Sequence, residues 1–162
     1  TVYTILSDKN YLPTKAVFIP NSDLIISSGE EIISLTNSYR GLLSVWNNIG
    51  DLLQKRVVSK LPIRALTVSS DGRVLACAGD DLIIRIVKVD TLEIVGEIIG
   101  HTDPINDLDF SVDDRFLVSG GDDGYVFIWN VSDLFTQLDL EDAGDNKEYS
   151  SEIEDASVSD KE

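Results

Sequence analysis

The sequence predicts an all-β fold built from a repeated four-stranded unit, followed by an acidic tail with no fold of its own. Three observations carry this. Runs of four to eight β-branched or alternating residues, bounded by Ser, Asp, Asn and Gly, recur through residues 1–138, the patterning of short strands. No stretch there shows a convincing helical period, so no helix of more than two turns is expected. Finally, Pro62 through Val89 lies over Pro104 through Val131 at a constant offset of 42 residues without a gap, matching Pro62/Pro104, Ile63/Ile105, Leu66/Leu108, Ser69/Ser111, Leu75/Leu117, Gly79/Gly121, Asp81/Asp123 and Val89/Val131.

A fixed period of ~40–45 residues with four strands per unit is the signature of a β-propeller blade. Taken in order, Val2 to Leu6 reads as the last strand of a blade whose remainder is missing. A diverged copy starts near Lys15, with Ala16 to Ile19, Leu24 to Ser27 and Leu42 to Trp46 as its first three strands and a long loop from Ser28 to Arg40. The expected blades lie near 15–60, 61–100 and 101–138. Because ~4–8 blades close a ring, about three blades and one orphan strand make a partial propeller. Its remaining blades would come from missing sequence or a partner, and alone it would present two raw sheet edges.

Charge narrows the function classes. The chain carries 29 acidic and 13 basic residues, net −16, which argues against nucleic-acid binding through bulk charge. Residues 139–162 hold ten acids against Lys147 and Lys161. Their scattered apolar residues cannot offset the entropy of ordering, so a disordered acidic tail is expected there. No apolar run approaches ~20 residues and no basic-then-apolar N-terminus is seen, so no membrane segment or export signal is expected and an intracellular location, cytoplasmic or nuclear, follows. One cysteine, Cys77, excludes an internal disulfide, and one histidine, His101, excludes the usual zinc and haem sets. No metal or cofactor is implied.

Gly100-His101, Ile105-Asn106-Asp107-Leu108-Asp109-Phe110, Phe116 through Gly124 and Phe127-Ile128-Trp129-Asn130 together resemble a WD-repeat. The resemblance covers residues ~15–135, near complete in the third copy, partial in the second and loose in the first. It implies a hydrogen-bonded set of His101, Ser119, Asp123 and Trp129. The chemistry is sound without the name, because a buried imidazole and indole N–H need partners that Asp and Ser supply. The second copy has Ser59, Cys77, Asp81 and Val87 at those places, keeping the turn Asp and losing the network. The terminal Asp of the motif is Asn47, Lys88 and Asn130, so no copy has the literal dipeptide. Shorter stretches are similar to two propeller families. Gly41 to Trp46, Gln54 to Val58, Pro62-Ile63 and Val68 to Gly72, with the long loop, resemble the last blades of the endoplasmic-reticulum exchange factor for the COPII small GTPase. Leu61 to Leu66 through Asp81 resembles the N-terminal propeller of a replisome adaptor.

Other chemistry has a plainer account. His101, Asp123 and Ser119 mimic a nucleophilic triad, but on neighbouring strands of one blade, with no nucleophile elbow, they read as structural. The pairs Asp80-Asp81, Asp113-Asp114 and Asp122-Asp123 fall where tight turns are needed and read as turn formers rather than calcium ligands. Cys77, between apolar neighbours, reads as inert packing. Trp46 and Trp129 read as core residues, and the sequon at Asn130-Val131-Ser132 as chance. In the tail, Ser151, Ser157 and Ser159 each precede an acid at +3, the pattern of acidophilic kinase sites.

The expected function is a non-catalytic scaffold for protein–protein contacts within a multiprotein complex, with partner contacts placed at Tyr39, Arg40, Arg64 and Asp103. The alternatives are guanine-nucleotide exchange on a small GTPase in vesicle-coat assembly, or a replisome or chromatin adaptor.

Overall fold

The computed structural model describes residues 10–138 apart from 34 and 37. The orphan strand at Val2 to Leu6, the acidic tail and Ser151, Ser157 and Ser159 lie outside the described residues. Among the described residues eleven strands form three antiparallel sheets, each a meander in chain order. The first contains β1 (Tyr11–Phe18), β2 (Ile25–Ile33), β3 (Ser38–Trp46) and β4 (Leu52–Ser59). The second contains β5 (Ile63–Val68), β6 (Val74–Gly79), β7 (Ile83–Lys88) and β8 (Ile94–Ile99), and the third β9 (Ile105–Phe110), β10 (Phe116–Gly121) and β11 (Val126–Asn130). The result is an open, partial β-propeller.

Two apolar seams hold the sheets face to face. Ile26, Leu43 and Val45 of the first sheet meet Leu66, Leu75, Cys77 and Val87 of the second. Ala76, Ile84 and Ile86 on the second sheet's other face meet Ile105, Leu108 and Leu117 of the third. Burying a Leu or Ile side chain fully contributes ~1.5–3 kcal/mol, so these seams dominate the cohesion. The turns repeat as well. Ser69 Oγ bonds Asp71 Oδ1 at 2.6 Å in the β5–β6 turn, and Ser111 Oγ bonds Asp113 Oδ1 at 2.6 Å in the β9–β10 turn, 42 residues on.

Three expectations are corrected. The stretch from Ser28 to Arg40 is not a loop: β2 and β3 run on past the sheet as a hairpin, with Glu30 opposite Gly41, Glu31 opposite Arg40, Ile32 opposite Tyr39 and Ile33 opposite Ser38. Cross-strand charge supports this extension, since Glu31 pairs with Arg40 at 3.5 Å and with Lys55 at 3.0 Å. The first copy also begins earlier than Lys15, because β1 starts at Tyr11. The third sheet has three described strands instead of four, and β11 leads into a helix over 132–138. Asn130 Oδ1 accepts from the Ser132 backbone N–H at 3.1 Å and hydroxyl at 2.6 Å at the helix start. Leu134, Phe135 and Leu138 then face the seam between the second and third sheets. Seven residues are too few to show a helical period in sequence.

Cys77 is fully buried, and burial pushes its thiol pKa up to about 12. The native chain is therefore expected to give no fast reaction with a chromogenic disulfide reagent at pH 7.5, and one equivalent once unfolded in urea. Rapid stoichiometric labelling of the folded chain would contradict this.

Candidate protein-interaction face and its supporting networks

In the third sheet His101 Nδ1 lies 2.7 Å from Asp123 Oδ2, and His101 Nε2 lies 2.7 Å from Ser119 Oγ. The Trp129 indole N–H donates to the same Ser119 oxygen at 2.8 Å. Asp123 also accepts the backbone N–H groups of Thr102 at 3.0 Å and Tyr125 at 3.1 Å. Burial opposes charge on Asp123, but these bonds and His101 outweigh it and hold the carboxyl below the usual range. An ionised Asp123 only accepts, so a neutral imidazole carries its proton on Nδ1 and takes the Ser119 O–H at Nε2. Ser119 is buried with its oxygen shared by two rings, an arrangement that fixes strand register. Two glycines make room: a Cβ on Gly121 would stand 2.8 Å from His101 Nδ1, and one on Gly100 2.6 Å from the Trp129 ring.

Each other sheet has its own version. In the second, the Ser59 hydroxyl donates to Asp81 Oδ2 at 2.7 Å, and Arg85, from the strand position of Phe127, reaches the same oxygen at 2.6 Å. This copy therefore replaces the network rather than losing it. In the first, Ser27 Oγ takes the Trp46 indole N–H at 2.9 Å and meets the Tyr11 hydroxyl at 3.2 Å, so a phenol stands in for the imidazole. Tyr11 and Arg85 were not visible as site residues because they belong to no motif position. Trp46 is buried and Trp129 half-buried. The paired acids sit in turns and spend their oxygens on neighbours, as Asp114 does on the Ser70 backbone and hydroxyl at 2.9 and 2.5 Å.

The meander order places the β2–β3 hairpin, the start of β5 and the start of β9 at one end of the sheets, so Tyr39, Arg40, Arg64 and Asp103 share that end. Arg64 ties two sheets together: it pairs with Asp80, bonds Asn106 Oδ1 at 3.1 Å and stands 3.5 Å from Asp122. Lys15 reaches from β1 to Asp107 on β9 at 2.8 Å, which holds the Asp107 carboxyl below its usual range. Tyr39 and Asp103 are exposed, while Arg40 is engaged with Glu31 on the hairpin.

Sheets of this order, stacked on faces that carry such polar sets, define a repeat protein of the propeller class. Residues 54–88 and 92–130 match the family model "WD domain, G-beta repeat", and the chain belongs to the WD-repeat family. It is 35% identical over 74% of its length to the U3 small nucleolar RNA-associated protein 21 homolog of Schizosaccharomyces pombe, covering 12% of that protein. It is 34% identical over 51% of its length to SEC12-like protein 1 of Arabidopsis thaliana, covering 21% of that protein. Among solved structures, the RRP9 WD40 repeats align with a TM-score of 0.69 at 21% identity over 80% of this chain and 38% of theirs, a likeness of fold. The chain thus spans a small part, 12% to 21%, of these two relatives.

Proposed function

We propose that the chain is a non-catalytic scaffold in a multiprotein complex, presenting the sheet end that carries Arg64, Asp103, Tyr39 and Arg40 to protein partners. The observation that carries this is the division of its polar groups. The His, Ser, Asp, Trp and Tyr sets are turned inward and saturated, whereas charged side chains at one end bridge sheets at the surface. A rigid frame with a varied charged end is suited to recognition. Similarity to a U3 small nucleolar RNA-associated protein supports a nuclear assembly, and the net charge of −16 favours protein over RNA contacts within it. Exchange activity on a small GTPase is the second reading, favoured by the similarity to SEC12-like protein 1.

The test is affinity capture of the tagged chain followed by mass spectrometry, against a Tyr39→Ala, Asp103→Lys variant at the two exposed positions of that end. Loss of a reproducible partner set by at least ~10-fold, about 1.4 kcal/mol, with an unchanged melting curve is expected. Partner recovery indifferent to both changes would overturn the assigned face. Accelerated nucleotide release from a vesicle-coat GTPase would replace the scaffold with the exchange factor.

A further inference from the structure

The seam between the second and third sheets is closed at the β7–β8 turn by the helix over 132–138. Leu134 reaches to 3.6 Å from where a Gly96 Cβ would stand, beside Ile86, and Leu138 is buried in the same cluster with Val95 packed against it. The seam between the first and second sheets repeats this surface. Val45 opposes Gln54 in the first sheet as Ile86 opposes Gly96 in the second, so Val45, Leu53 and Gln54 stand where Ile86, Val95 and Gly96 meet the helix. There, however, they line a groove of about 570 Å3 together with Leu24 and Val89. Leu138 borders this groove too, so it continues directly from the interface the helix makes.

We propose that this groove docks a short amphipathic helix of a protein partner, inserting Leu and Phe side chains in the pattern of Leu134, Phe135 and Leu138. The inference rests on the scaffold reading and supplies it with a second site and a class of partner. The volume falls within the ~300–1,000 Å3 of pockets that hold a few large groups, which suits two or three apolar side chains and not another sheet. Helix-in-groove recognition needs this kind of apolar floor, here Leu24, Val45 and Val89. Its rim carries Arg73, Lys88 and Asp90, mixed charge that a helix's polar face can meet.

The probe is a capped peptide with the sequence of residues 130–138, added to the full 162-residue chain and followed by fluorescence anisotropy. Saturable binding is expected, weakened at least tenfold by Leu53→Asp. Leu53 is 55% exposed, so that variant is expected to keep the parent melting curve. A peptide with Asp at the positions of Leu134 and Phe135 is expected not to bind. Binding absent up to millimolar peptide, or indifferent to Leu53→Asp, overturns the proposal. Binding that appears only after residues 139–162 are removed overturns it as well, assigning the groove to this chain's own continuation. Asp103→Lys is expected to leave peptide binding unchanged, so partner capture lost in that variant alongside a failed peptide experiment would sink the groove and spare the scaffold.

Discussion

Asp81→Ala is expected to destabilise the chain by about 3 kcal/mol, the lower end of the cost of stripping a buried charge of its partner. Arg85 is almost fully buried, with its side chain 9% exposed, and its closest anion is Asp81 Oδ2 at 2.6 Å. The pair is off the line of a hydrogen bond, so charge rather than bond geometry holds it. Glu97 at 3.4 Å is half-exposed and compensates partly, which is why the low end is expected. The substitution also takes away the acceptor of the Ser59 hydroxyl. Urea unfolding of parent and variant gives the number. Asp81→Ala with Arg85→Met is expected to recover part of the loss, because an apolar chain of similar length leaves no stranded cation. An Asp81→Ala midpoint matching the parent would show Arg85 to be neutralised by other means.

His101→Ala is expected to cost ~1–3 kcal/mol, since Asp123 and Ser119 each lose a partner in a buried site. The hydrogen bond from Trp129 to Ser119 survives. Adding Asp123→Ala is expected to cost little more, because members of one network are not additive. A double-mutant cycle with full additivity, or a His101→Ala melting curve superposing on the parent, would refute the coupled set. The sign with pH follows from Asp123. Its folded pKa is lowered, so its stabilising contribution is present above the unfolded value of ~3.9 and lost as pH falls through the folded pKa. Asp123→Asn should accordingly flatten the acid limb of the stability profile below about pH 4.

The 42-residue correspondence made the second and third sheets legible, because Pro, Gly and Asp at fixed places are demanded by turns that each blade must make. The likeness to a WD-repeat, not the offset, made His101, Ser119, Asp123 and Trp129 legible, since the second copy has Ser59, Cys77 and Val87 where the third has His101, Ser119 and Trp129. Tyr11 escaped it. The first copy reaches its serine with a phenol from the first residue of β1, ahead of the point where the pairing with β2 shifts between Pro13 and Lys15, and no local pattern encodes such a substitution. Arg85 escaped because a basic residue inside a strand reads as a solvated position until the opposing Asp81 is seen.

Ser28 to Arg40 misled for a physical reason. Its Ser, Gly, Thr and Asn content is that of a loop, while the hairpin's pairing is supported by Glu31 between Arg40 and Lys55, contacts made across strands. The exposed face of the third sheet makes the same point. Val118, Val126 and Ile128 are apolar and open to solvent, whereas Ala76, Ile84 and Ile86, 42 residues earlier, are buried against the third sheet. The sequence by itself determined the strand periodicity, the repeat and the turn residues, all set by interactions over a few residues or by the repeat, while its likeness to a WD-repeat implied one polar network. Tertiary structure alone decided which faces are covered, where the hairpin and helix run, which residues stand in for the missing histidines, and which seam keeps an open groove. Those outcomes depend on register and packing between segments far apart in the chain, where a pairing shifted by one residue turns a side chain to the opposite face.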